Sequence, residues 1–195
     1  MALVFLAVSA VVIPITMAKL TAPLLREIHR LDDERNELAE LYGQAREDSR
    51  LDGLTGLGNH RSFQEELRRQ LDLAARQGSS LALILVDVDD LKKVNDGRGH
   101  ADGDQLLAAV GQIARNAIRR GDRAFRVGGD EFALLLPNAD VETGLTVARR
   151  MLASALTNNY SGSAAPFSLS IGVSAFPSPS TQGDLLYRHA DAALY

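Results

Sequence analysis

The spacing of apolar residues changes character several times along the chain, and each change marks an element. Residues 81–88 (LALILVDV) form a run apolar enough for a buried strand, whereas 59–77 carry the three-and-four spacing of a helix. A turn-rich stretch is predicted up to Gly103. A longer helix follows over 104–120, its apolar face set by Leu107, Val110, Ala114 and Ala117. Two strands then flank Gly128-Gly129 as a hairpin, 141–156 reads as a helix, and 166–175 as another strand. After a Pro/Ser-rich loop, a last helix begins at Asp184. The order predicts an α/β (α+β) domain over residues 52–195, with a mostly antiparallel central sheet surrounded by helices.

Upstream, the pattern is different. Residues 2–18 carry no charge and are apolar on every face, at the short end of what spans a bilayer core of about 30 Å. They are expected to form a transmembrane segment, with Pro14 tolerated as a kink. Lys19, Arg26 and Arg30 follow it and only Met1 precedes it, so the positive-inside tendency puts the rest of the chain in the cytoplasm. In 19–51, Leu24, Ile28, Leu31, Leu38, Tyr42 and Ala45 step by fours and threes, with Arg35 at the one off-pattern seam position. This predicts a helical coiled-coil stalk; a single solvated helix held by Glu and Arg pairs is the plainer alternative. Asp52-Gly53 ends it.

Composition narrows the chemistry. A formal net charge of -4 lacks the positive field that nucleic-acid binding needs, so no nucleic-acid partner is expected. The absence of cysteine removes disulfides, thiolate zinc sites and cysteine nucleophiles.

Two clusters can carry chemistry. In Arg126-Val127-Gly128-Gly129-Asp130-Glu131-Phe132, two glycines and two acids sit between apolar strands. Glycines at a hairpin tip accept positive φ and expose backbone to a bulky anionic ligand, although an ordinary polar turn accounts for the same residues. Strand alternation also puts Asp87 and Asp89 on one face at the end of a buried run. Carboxylates there are costly unless neutralised, and a hard divalent cation does this while holding triphosphate oxygens. Asp87 and Asp130 are the candidate metal pair.

Six segments, in order, now resemble one family. They are Asp52-Gly-Leu-Thr-Gly-Leu-Gly-Asn59; Asp87-Val-Asp89 with Lys92 and Asn95-Asp96; Gly99-His100 with Gly103-Asp104; Arg119-x-x-Asp122; Gly128 to Phe132; and Ser170-Ile-Gly-Val173. Their order and spacing are similar to those of GGDEF diguanylate cyclases. The resemblance implies a sheet like that of adenylyl cyclases and polymerase palms. It also implies that two GTP are condensed into cyclic di-GMP, with release of pyrophosphate, between two facing domains of a homodimer. Asp87, the Val88 carbonyl and Asp130 would hold two Mg2+ or Mn2+ ions, and Lys92 would stabilise phosphate charge. Glu131 would help to bind metal or accept the 3′-OH proton, and the sequence does not divide that role between Asp130 and Glu131.

The resemblance further implies that Asn95 and Asp104 read guanine, with His100 near the same pocket and Gly128 and Gly129 against the nucleotide. A carboxylate matches the adjacent N1–H and N2–H donors of guanine, which adenine lacks. Without the family, Asp104 reads as a helix cap, Asn95 as a turn residue and His100 as a surface imidazole. Arg119 and Asp122 would form an inhibitory product site with Arg150 as a second arginine, where the plain account is cations at a helix end followed by a glycine stop. Asp52 would pair with Arg126.

The chain departs from the family pattern in two places. Asp90 and Leu91 stand where paired phenylalanines are usual, adding negative charge near the phosphates. Family members also continue past Ala193-Leu194-Tyr195 into a basic loop and a final strand, so a missing C-terminal strand and reduced activity are expected. The alternatives are a non-catalytic cyclic di-GMP receptor and a dimerising signalling module. The implied location is the bacterial inner membrane, with the catalytic domain in the cytoplasm.

Overall fold

Leu81–Val88 forms strand β1, and its first six side chains are all buried. So apolar a strand is stable only with both faces covered. The computed structural model describes residues 50–157, 167–178, 180 and 183–194, together with 27, 30–32 and 34–36. The chain divides into two compact units, Met1–Ser49 and Arg50–Tyr195.

In the second unit β1 is flanked by β3 (Glu131–Pro137) and β4 (Leu169–Phe176), and β2 (Arg123–Arg126) lies outside β3. Every neighbouring pair is antiparallel. Side-chain alternation splits β1 between two cores. Leu81, Leu83 and Leu85 pack with Phe63 and Ala74 of α1 (His60–Gln77) and with Leu186 and Ala190 of α5 (Gly183–Leu194). Ala82, Ile84, Val86 and Val88 pack with α3 (His100–Ala117) and α4 (Val141–Thr157). The result is a sheet between two helical layers.

Local chemistry sets the ends. The Asn59 side chain accepts from Ser62 N–H at 3.0 Å to start α1, and Gly78, at φ 63°, stops it in the left-handed region. Gly172 of β4 lets α5 approach closely, because a Cβ there would strike the Ala190 carbonyl. The turn after Arg50 lies along the outer edge of β2: Gly58 N–H donates to Ala124 O at 3.1 Å, and Arg126 N–H donates to Gly58 O at 2.8 Å. That pairing covers part of an otherwise open edge.

Three sequence expectations need correction. The stretch predicted as turns up to Gly103 contains a helix, α2 (Leu91–Arg98), and α3 begins at His100 rather than Asp104. Asn95, Asp96, Gly97 and Gly99 look like turn formers, but Leu91 and Val94 pack against the core and override that propensity. Only Gly99, at φ 91°, leaves the helical path. At the other end α3 stops at Ala117, because Ile118 is extended (φ -112°, ψ 157°), so Arg119 and Arg120 lie beyond the helix and Gly121 is not its stop.

Upstream, the described residues of 27–36 are helical. Arg30 pairs with Glu27 at 2.9 Å and Glu34 at 3.8 Å, and Arg35 with Asp32 at 3.9 Å, all exposed. The apolar segment 2–18 and the rest of the 19–51 stalk lie outside the described residues. Among the described residues no helix is long and apolar enough to cross a membrane.

Candidate active site

The end of β1 and the β2–β3 turn meet through the sheet register. Asp87 stands opposite Glu131, and Val88 N–H donates to the Asp130 carbonyl at 3.1 Å. Burial pushes the Asp87 carboxyl above its ordinary range, and the negative charges of Asp130, Glu131 and Asp89 push it further. None of Asp87, Asp130 and Glu131 forms an ion pair among the described residues. Asp89 is used locally: Ser170 Oγ donates to its Oδ1 at 2.7 Å. On α5, burial and then the charges of Glu131 and Asp191 raise the Tyr187 phenol, so the last helix also faces this acidic group.

The turn glycines serve differently from expectation. Neither Gly128 nor Gly129 has positive φ. The Glu131 carboxyl folds over Gly128, so a Cβ there would displace the flexible end of that side chain. Gly129 faces open space, where an added Cβ would meet nothing within 4 Å.

β1 leads through Asp89-Asp90 directly into α2. Asp90 takes the left-handed conformation (φ 59°), which a short polar side chain tolerates, and its carboxylate pairs with Lys93 at 2.7 Å. The added charge therefore has a partner. Lys92, in the first turn of α2, is exposed and makes no ion pair among the described residues. One turn on, Asn95 packs where a Cβ on the buried Gly103 of α3 would be, which brings Asn95 beside the residue preceding Asp104. Asp104 lies inside α3, not at its cap, so the capping account of this residue does not hold. His100 opens α3 and is exposed.

A second group lies at the start of β2. A hollow of about 310 Å³ is lined by Arg115, Arg119, Arg120, Asp122 and Arg123 together with Gly56, Leu57 and Gly58. Asp122 is buried; it accepts from Arg119 N–H at 3.1 Å and from Arg119 Nε at 3.2 Å, while Arg119 Nη2 reaches Pro137 O at 2.8 Å. Arg150 does not line this hollow; its guanidinium donates to the Ala117 carbonyl at the end of α3.

The expected Asp52–Arg126 link is present, with Arg126 Nη1 3.4 Å from each Asp52 oxygen. Burial opposes ionisation of Asp52. Two hydrogen bonds from Thr55, at 2.8 and 2.7 Å, together with Arg126 outweigh that and hold its carboxyl below the ordinary value. Sequence reasoning missed His60, whose Nδ1 lies 3.0 Å from the Val127 carbonyl. No local signal marks it, because its partner is 67 residues away.

The family model described as "Diguanylate cyclase, GGDEF domain" matches residues 49–195. The chain belongs to the GGDEF family. Its GGDEF domain is 38% identical over 144 residues to diguanylate cyclase DgcS of Shewanella oneidensis, covering 74% of this chain and 48% of that protein. The solved GGDEF domain of TpbB (YfiN) from Pseudomonas aeruginosa superposes with a TM-score of 0.69 at 36% identity, covering 74% of this chain and 86% of that one. The coiled coil and GGDEF domain of DgcB from Caulobacter crescentus, solved with c-di-GMP, gives a TM-score of 0.71 at 28% identity, covering 88% and 92%. The chain spans about half the length of the curated relatives it matches, or less.

Proposed function

We propose that this GGDEF domain is a diguanylate cyclase that condenses two GTP into cyclic di-GMP and pyrophosphate. The observation that carries the reading is the convergence of Asp87, Asp130 and Glu131 at the joined ends of β1 and β3, with no ion pair to neutralise them among the described residues. Self-repelling acids beside an exposed glycine backbone suit a ligand that brings its own cations.

The donors fit a hard divalent ion. Among the described residues no three His, Asp or Glu side chains are arranged to hold a metal by themselves. Two carboxylates, Asp87 and Asp130, with the Val88 carbonyl form the partial oxygen set that Mg2+ or Mn2+ prefers, the remaining positions going to water and phosphate. Two such ions, when bound, would neutralise triphosphate charge and favour attack at phosphorus.

The chain's own residues do the rest. Lys92 supplies a point cation for the phosphates, and Gly129 leaves room for them. Asn95 and Asp104 read the guanine edge, with His100 beside that pocket, and leaving the Asp104 carboxylate unpaired is what would discriminate against ATP. Glu131 or Asp130 takes the proton from the ribose 3′-OH as that oxygen bonds to the α-phosphorus of the nucleotide on a facing copy and pyrophosphate leaves. Two copies are therefore needed, and the upstream heptads with the apolar 2–18 segment would supply a membrane-anchored homodimer with its GGDEF domain in the cytoplasm.

Product inhibition is part of the proposal, through Arg119 and the arginine-lined hollow. Arg150 is the weaker member, because its guanidinium is engaged by Ala117. Incubating the chain with GTP and magnesium tests the reading. Cyclic di-GMP and pyrophosphate are expected in a 1:2 ratio; tight cyclic di-GMP binding without turnover would instead make the chain a receptor.

A further inference from the structure

Successive peptide groups build the turn between β2 and β3, and the protein holds all but one of them. The Val127 carbonyl is met by His60 Nδ1 at 3.0 Å. The Gly129 carbonyl takes Arg126 Nη2 at 2.7 Å and Nε at 3.3 Å. The Asp130 carbonyl takes Val88 N–H at 3.1 Å. A peptide is planar and trans, so its N–H points away from its C=O, and a clamp on a carbonyl also aims the next N–H. The His60 clamp thereby turns Gly128 N–H toward the Glu131 carbonyl, 3.3 Å away, beside Val127 N–H at 2.9 Å. What remains is the Gly128–Gly129 peptide, which has no protein hydrogen-bond partner among the described residues.

We propose that His60 is a positioning residue of the nucleotide site. It fixes the 127–128 peptide so that the one uncommitted peptide of the turn stays available to an anionic ligand. The imidazole is itself oriented. The Val127 carbonyl can only accept, so Nδ1 carries the proton; the Gln64 side-chain nitrogen, 2.8 Å from Nε2 and one helical turn along α1, donates to the other nitrogen. This is the neutral Nδ1–H tautomer. Its base is rigid too, because Asn59 caps α1 immediately before His60.

The inference rests on the reading of this turn as a GTP site, and the test separates the two. In the full chain with magnesium, His60→Ala raises KM for GTP about fivefold, the ratio given by about 1 kcal/mol of lost hydrogen bond, with kcat within about twofold. His60→Asn, whose amide nitrogen reaches nearly the place of the imidazole Nδ1, restores KM to within about twofold. Long-range proton–nitrogen NMR of the wild-type chain shows the His60 proton on Nδ1. An unchanged KM in His60→Ala, equal impairment of the Ala and Asn variants, or an Nε2–H tautomer overturns the proposal. If the wild type binds GTP without forming cyclic di-GMP, the catalytic reading fails alone. The affinity of the three proteins for magnesium and a non-hydrolysable GTP analogue then decides His60 by the same ratios. A wild type that binds no GTP overturns both.

Discussion

Asp87 faces Glu131 across the β1–β3 ladder, one carboxylate set against another at the point where the sheet ends. Like charges directly opposite on a sheet are destabilising, and here burial adds to the cost. Such an arrangement lowers the stability of the fold, and a ligand that delivers positive charge would offset that cost.

Replacing Asp87 should therefore separate stability from function. The raised carboxyl means that the folded state binds the proton more tightly than the unfolded state. This group's contribution to stability accordingly falls as pH rises from 3.8 through the raised value, and stays unfavourable at neutral pH. Asp87→Asn is expected to keep or raise Tm without magnesium and GTP, to lose the rise in Tm that both together produce, and to lower turnover by about a hundredfold or more. Thermal melts with and without magnesium and GTP, beside a turnover assay, check this.

Asp52 carries the opposite sign. Its carboxyl is depressed by Thr55 and Arg126 despite burial, so the stability it contributes is fully present above 3.8 and is lost as pH falls through the depressed value. Denaturation of wild type and Asp52→Asn across pH 2 to 6 should show wild type the more stable above pH 4, with the difference shrinking toward pH 2.

Two glycines should behave in contrasting ways. Gly172→Ala drives a Cβ into the backbone of α5 and is expected to cost about 1–3 kcal/mol, seen as a lower Tm. Gly129→Ala meets nothing and requires no left-handed backbone, so stability should stay within about 0.5 kcal/mol while KM for GTP rises. An unchanged KM in Gly129→Ala would remove Gly129 from the binding surface.

Arg119→Ala is expected to relieve inhibition by cyclic di-GMP and spare synthesis, measured as initial rates with added product. Asp122→Ala is the poorer probe. Its buried carboxylate holds the Arg119 turn, so its loss should lower Tm as well.

How much of this could be read from the chain depends on where each cause lies. Residues 81–88 announce a buried strand by their own composition, and the glycine pair between apolar runs announces a hairpin; both appear as expected. The Asp52–Arg126 pair is legible only through the family resemblance, since nothing local links residues 74 apart. α2 is not legible locally because what stabilises it is distant: Leu91 and Val94 on the core, and Asn95 against Gly103. Gly128 does not take the positive φ expected of a hairpin glycine; what distinguishes it is the Glu131 carboxyl folded over it. His60 was invisible for the same cause as α2.

Calorimetric titration of the full chain with a non-hydrolysable GTP analogue probes the acidic end of the sheet most directly. With magnesium, binding is expected, and it should weaken at least about tenfold when the metal is chelated or when Asp130 is replaced by Ala. Equal affinity in all three conditions would contradict the account.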